Sequence, residues 1–280
     1  MRIQPMPKFS IISCVSNFEV YQKCLVESLY RFENTDLYEL IPVDNYANNY
    51  TATQALNLAI RAAKSDLIIC CHQDISLLPG FFDRAIKLLD GIDDDWGIIG
   101  CAGPSLLKDE SNKHFPIGRV YAGKAGEYGD DFDSKLRIIY DGEIRSAEAY
   151  CVDECLFLIN KRQGIRFNPE IDGFHFYGAD ICLSMRSAGK KVYASYLPII
   201  HHGEYSESAI SGDIEYWRLF KKLLKLWRHE FKECYGTHMH WTYLNNDTNS
   251  FEISTYLEKT ALSHNFSAKV LYFKINEKIT

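Results

Sequence analysis

The chain has 280 residues, 46% of them apolar and 14% aromatic, which is ample for a large core and too apolar for disorder. A net charge of -6 argues against a general nucleic-acid binder, which is normally basic. Residues 1–7 are too short and too polar for a secretion signal, and no apolar run approaches the roughly 18–20 residues that span a bilayer.

The first hundred residues alternate between short apolar runs and helical patterns. Phe9-Ser-Ile-Ile-Ser-Cys-Val15 predicts a buried strand, and Val20, Cys24, Leu25 and Leu29 recur at helical spacing behind Asn17, an expected N-cap. Tyr38-Glu-Leu-Ile-Pro-Val-Asp44 predicts a second strand, placed at an edge or bulge by its proline. Ala55, Leu58, Ala59 and Ala62 form the stripe of a second helix, and Leu67-Ile-Ile-Cys-Cys71 is a third strand without polar alternation. A helix is predicted from about Pro79, and 96–101 is a fourth strand.

Further on, 104–149 is rich in Gly, Asp and Tyr and predicts an inserted loop or hairpin region. A strand is expected over 152–160, a helix from near Gly178, a strand over 191–197 and a long amphipathic helix over 213–234. The expected division is a main α/β domain over 1–210 and a helical extension over 211–280. Nine cysteines, odd in number, mostly in apolar stretches and without a CxxC pair, predict buried reduced thiols and a cytoplasmic protein.

Strand–helix–strand repetition with short links implies an α/β fold with a mainly parallel sheet covered by helices on both faces. Such sheets bind ligands outside the carboxyl ends of their strands. The residues there are Ser16-Asn17, Asp44-Asn45 and His72-Gln73-Asp74. Asp74 ends a polar triplet after a deeply apolar strand, where a carboxylate suits a hard divalent cation or caps the next helix. His201-His202 again follows a strand, and a neutral imidazole there either completes a metal site or is solvated. Asp180, in the first turn of a helix, is a dipole partner or a general base. Asp44-Asn45 is a turn pair or a hydrogen-bonding edge for a nucleobase or ribose.

Taken in order, these pieces resemble the inverting family 2 glycosyltransferases of the GT-A fold, in a bacterial branch with His-Gln-Asp in place of Asp-x-Asp. The resemblance runs over about two-thirds of the chain: 10–17 and 24–29, then 55–60 and 63–74, then 152–160 with Phe167-Asn-Pro-Glu170, Tyr177-Gly-Ala-Asp-Ile-Cys-Leu183 and His201-His202-Gly203. It implies a nucleotide-sugar donor, expected to be a UDP-sugar, contacted by Ser13, Val15, Asn17, Asp44, Asn45, Asp66, His72 and Gln73. It also implies Mn2+ or Mg2+ held by Asp74 with one of the two histidines, His202 favoured over His201, and Asp180 as the base. The implied acceptor is a glycan or lipid-linked hydroxyl. His72, Ala179 and Leu56 stand where many relatives carry an acid, a Glu and an Arg. The rival readings are a catalytically silent nucleotide-sugar-binding or scaffold protein, and a nucleotidyltransferase, which lacks its expected basic glycine-rich loop here.

Two motifs stand outside this scheme. Trp217, Phe220, Leu224, Trp227 and Phe231, interleaved with Arg218, Lys221, Lys222, Lys225, Arg228 and Lys232, predict an amphipathic helix. It packs on the core or lies on the inner membrane face. His238 and His240 lack the cysteine partners of a zinc finger.

Overall fold

The computed structural model describes residues 6–32, 35–110, 113–123, 136–202, 214–237, 239–245, 250–256 and 268–274. Its centre is a seven-stranded sheet in the order β2-β1-β3-β10-β5-β11-β9. These strands are β1 (Phe9–Val15), β2 (Tyr38–Asp44), β3 (Leu67–Cys71), β5 (Trp96–Gly100), β9 (Ser146–Glu148), β10 (Leu156–Asn160) and β11 (Lys191–Ser195). The β1/β2, β1/β3 and β5/β11 pairs are parallel, whereas β10 runs antiparallel to both β3 and β5. The proline-bearing β2 is an edge strand, as its missing N–H requires.

Alternation along the strands divides two apolar layers. Phe9, Ile11, Val15, Ile69, Cys71, Leu156 and Leu158 face one side, with α1 (Phe18–Tyr21), the π turn Gln22–Val26, α2 (Glu27–Leu29) and α4 (Phe81–Asp90). Ile12, Ile68, Cys70, Phe157 and Ile159 face the other, with α3 (Ala52–Ala62), α5 (Tyr177–Ser187) and α6 (Ile214–Trp227). Because both faces are covered, these strands carry no polar alternation. Asn17 caps α1 by accepting from the Glu19 and Val20 amides, as predicted. Thr51 and Gln54 form a reciprocal capping box on α3.

A second, five-stranded sheet joins β4 (Ile75–Leu77), β12 (Ile199–His201), β7 (His114–Ala122) and β6 (Ala102–Lys108), with β8 (Arg137–Asp141) on β7. Within the expected insertion over 104–149, β6 and β7 do form an antiparallel hairpin. β4 and β12, three residues each, are too short to register as periodic patterns.

The C-terminal region departs from the expected helical extension. The helix ends at Trp227, and Cys234 lies in β13 (Glu233–Tyr235). β13 opens an antiparallel sheet with β14 (Met239–Asn245), β15 (Ser250–Tyr256) and β16 (Ala268–Lys274). The apolar stripe of α6 is spent on the core, since Tyr216, Leu219, Phe220, Leu223 and Leu224 are buried. Of its basic residues, Arg218 and Lys222 both pair with Asp172 at 2.8 Å. Lys221 and Lys225 of the same helix are exposed. No helix among the described residues is long and apolar enough to cross a membrane. Gly203, Asp213 and His238 lie outside the described residues.

Phe157 is fully buried at the centre of the sheet, in the layer shared with α3, α5 and α6. Phe157→Ala is expected to cost about 3–5 kcal/mol of unfolding free energy, read from urea denaturation.

Candidate functional site

The carboxyl ends of β1, β2 and β3 meet at one edge of the central sheet, with Val15 paired to Asp44 in parallel register. Gln73, just past β3, ties these ends together. Its Oε1 accepts from the Ser16 and Asn17 amides, both at 2.9 Å, and its Nε2 donates to Ser16 Oγ at 3.1 Å. Asn45 is fully buried and holds the loop after β2. Its side chain accepts from the Tyr50 amide, donates to the Tyr50 carbonyl, both at 2.9 Å, and contacts Cys14 Sγ. Asp44 itself is exposed and accepts from the Tyr46 amide. Ser13 is buried, with its hydroxyl 3.4 Å from Cys71 Sγ.

Asp66 is not at this edge. It precedes β3 at the opposite, amino end of the strand and pairs with Arg162 at 2.8 Å. Five strand residues separate it from His72, so the expected donor contact is corrected to a surface ion pair.

β12 brings the histidine pair to the site by running antiparallel to β4, with His201 opposite Ile75 and the His202 amide bonded to the Asp74 carbonyl at 2.9 Å. Successive strand residues face opposite ways, so only one of the two can meet Asp74. That residue is His201, whose Nε2 stands 3.5 Å from Asp74 Oδ1. His202, the favoured ligand from sequence, is otherwise engaged: Nδ1 with the Gly123 carbonyl at 2.8 Å and Nε2 with Ser76 Oγ at 2.9 Å.

His72 completes the group. Its ring centroid is 5.4 Å from that of His201, and one donor atom each from His72, Asp74 and His201 lies within 4.8 Å of the others. Two imidazoles and a carboxylate are a donor set that could hold one divalent ion. Burial and the neighbouring His201 hold the His72 imidazole below its ordinary pKa, favouring the neutral form that ligates metals. Burial alone would raise Asp74, but the hydrogen bond and charge of His201, with the charge of His72, outweigh it and leave the carboxyl at about 2.

Three residues that the sequence reading passed over also lie here. The His72 amide donates to the Cys155 carbonyl at 2.9 Å, so the turn before antiparallel β10 arrives at the edge where the parallel strands end. That turn carries Asp153, which accepts from the Cys155 amide and from Thr237 Oγ1, and Glu154, whose Oε2 accepts from the Gly178 amide at 3.3 Å. Tyr177, the first residue of α5, places its hydroxyl 2.8 Å from His72 Nε2. An acidic pair opening an apolar strand would have been the signal, had the strand's direction been known.

Asp180 lies one turn along α5 from Tyr177, only 1% exposed. Its Oδ1 accepts from Trp227 Nε1 at 2.8 Å, while Oδ2 has no hydrogen bond of ordinary geometry among the described residues. Burial lifts its pKa from 3.8 to about 6, with Trp227 and Asn168 pulling the other way. The carboxylate that the resemblance makes the base is thus covered by the end of α6.

The described residues form a mainly parallel α/β sheet with a His-Asp-His group at its carboxyl edge, the place where such sheets bind ligands. Residues 10–209 match the glycosyltransferase-like family, and the chain belongs to that family. It is 27% identical over 228 residues to "ATP synthase subunits region ORF 6" of Fuscovulum blasticum, covering 80% of this chain and 84% of that one. The crystal structure of GalNAc-T7 with UDP, GalNAc and Mn2+ aligns with a TM-score of 0.52 at 10% identity, over 81% of this chain. That of S. aureus TarS 1–349 aligns with a TM-score of 0.49 at 10% identity, over 78% of this chain. This chain spans 49% of the GalNAc-T7 chain and 64% of the TarS chain. At such identity the likeness to GalNAc-T7 is one of fold, the GT-A fold.

The covered Asp180 has a measurable pH signature. With its pKa raised from 3.8 to about 6, the native state binds the extra proton between those values, so this group's contribution to stability falls as pH rises through that window. By pH 8 the loss amounts to at most about 3 kcal/mol. Thermal unfolding of wild type and Asp180→Asn across pH 4–8 is expected to show the variant gaining relative stability toward alkaline pH.

Proposed function

We propose that the chain is an inverting, metal-dependent glycosyltransferase that moves a sugar from a UDP-sugar to a glycan or lipid-linked acceptor hydroxyl. The observation that carries this reading is the meeting of His72, Asp74 and His201 at the carboxyl edge of a GT-A sheet. In this assignment those three side chains hold Mn2+ or Mg2+. A cation there would supply Lewis-acid stabilisation of the charge developing on the departing diphosphate. The fold relative GalNAc-T7 was crystallised with UDP and Mn2+, which supports the same pairing here.

The chain's own groups do the rest. Gln73 fixes the Ser16–Asn17 turn beside the donor, and Asp44, exposed at the end of β2, receives the base or ribose. Asn45 serves from behind, by holding the loop rather than touching the donor. Asp180 takes the proton of the acceptor hydroxyl, and a pKa lifted toward 6 suits a base working near neutral pH. The Trp227 indole covers that carboxylate and has to withdraw as the acceptor enters. A single displacement from the opposite face inverts the anomeric centre, by the logic that governs glycosidases. The nine free thiols, eight of them buried, support a reducing, cytoplasmic setting.

The covered Asp180 and the Ala179 beside it favour a second reading, a silent nucleotide-sugar-binding protein. Calorimetry with UDP, with and without Mn2+, separates the arms when joined to a transfer assay. Wild type is expected to bind UDP in a manganese-dependent way, with at least about tenfold loss in Asp74→Ala and His201→Ala. His202→Gln is expected to stay within about threefold of wild type, since that ring is held by protein groups. Asp180→Asn is expected to bind the donor and lose transfer. Donor binding by wild type without turnover of any UDP-sugar would establish the silent reading.

A further inference from the structure

The segment that leads into β10 is held from three sides. A Cβ on Gly103 of β6 would stand 2.6 Å from the Cys151 carbonyl, and one on Gly178 of α5 would stand 2.6 Å from Glu154 Cβ. Only residues without a side chain let β6 and α5 approach the segment so closely. The Asp153 amide adds a bond to the Ala102 carbonyl at 2.8 Å. The third side is the C-terminal part of the chain. Tyr150 donates to Glu233 Oε1 at 2.6 Å, Cys151 Sγ lies 3.3 Å from Cys234 Sγ, and Thr237 Oγ1 donates to Asp153 Oδ2 at 2.8 Å. The Tyr235 ring packs on that of Tyr150, with centroids 5.2 Å apart. Residues 150–153 therefore run alongside 233–237, and burial of Cys234 and Trp241 in the core secures that side.

Asp153 ties the C-terminal part to the site. Its Oδ1 accepts from the Cys155 amide, two residues on, at 2.9 Å, a bond that folds the turn. Its Oδ2 accepts from the Thr237 hydroxyl, a bond strengthened by the charge of the carboxylate. With both oxygens held, the carboxylate cannot rotate away from the Cys155 amide. The Cys155 carbonyl, in the same turn, accepts from the His72 amide at 2.9 Å. A path of three hydrogen bonds thus runs from Thr237 to the main chain of His72. Thr237 lies beyond the part of the chain that matches the family. We propose that Thr237 is a positioning residue of the site: by holding Asp153 it fixes the turn whose carbonyl sets His72 beside Asp74 and His201. The C-terminal sheet is then a support of the His-Asp-His group rather than an appendage. The consequence for a bound cation rests on the proposed function above, but the coupling of Thr237 to His72 does not.

Hydrogen exchange of the His72 amide, followed by NMR on the metal-free full chain, reads the coupling. Thr237→Val keeps the shape of the side chain and removes its donor. It is expected to lower protection of the His72 amide about tenfold while amides at the middle of β1 and β3 keep theirs, and Thr237→Ser is expected to retain wild-type protection. Calorimetry with MnCl2 in the presence of UDP is expected to show about tenfold weaker binding in Thr237→Val and wild-type affinity in Thr237→Ser. Unchanged protection of His72 in Thr237→Val overturns the proposal. So does a loss shared equally by β1 and β3, a serine variant no better than valine, or wild-type manganese affinity in the valine variant. If wild type binds no Mn2+ with UDP present, the metal reading fails instead, and the exchange comparison still decides whether Thr237 positions His72.

Discussion

The short antiparallel pairing of β12 on β4 decides where the two distant halves of the site meet. It sets His201 opposite Ile75 and bonds the His202 amide to the Asp74 carbonyl. A slip of one residue that set His201 opposite Ser76 would set His202 opposite Ile75 and exchange the faces of the two imidazoles, because side chains alternate along a strand. The buried Ile75, Leu77, Ile199 and Ile200 resist such a slip, since it would carry apolar side chains to the wrong layer. A register held by apolar burial thus selects the imidazole that joins Asp74.

The reversal of β10 is the complementary constraint. Running against β3 and β5, it delivers its first residues to the edge where its parallel neighbours end. The turn before it then supports His72 through the Cys155 carbonyl and α5 through Glu154. The arrangement links the His72 turn to the helix that carries Asp180, while α6 closes over that carboxylate through Trp227. Asp180 is charged only against the cost of burial, and movement of α6 would change its ionisation along with its access.

Much of the frame was legible in the sequence, for physical reasons specific to each element. β1 and β3 are buried on both faces and read as unbroken apolar runs, and Asn17 announces α1 by its capping geometry. The positions of Asp44, Gln73 and Asp74 followed from strand ends alone. What stayed hidden depends on pairing partners. An apolar run such as Leu156–Asn160 has no readable direction, so the Asp153–Glu154 turn could not be placed. Two adjacent histidines are equivalent until the register of β12 is known. Asp66 belongs to the same sequence run as Asp74 but sits at the other end of the strand. In the C-terminal region, β13 is three residues long and β14 mixes polar with apolar residues, so neither shows a periodicity that separates strand from loop.

The central claim is that His72, Asp74 and His201 are the ligands of one divalent cation. Anomalous diffraction at the manganese edge, from crystals grown with MnCl2 and UDP, tests it most directly. The account predicts one strong peak within about 2.0–2.3 Å of an Asp74 oxygen and a nitrogen from each of His72 and His201. A peak bound through His202 instead, or no peak at this edge of the sheet while UDP is in place, would contradict it.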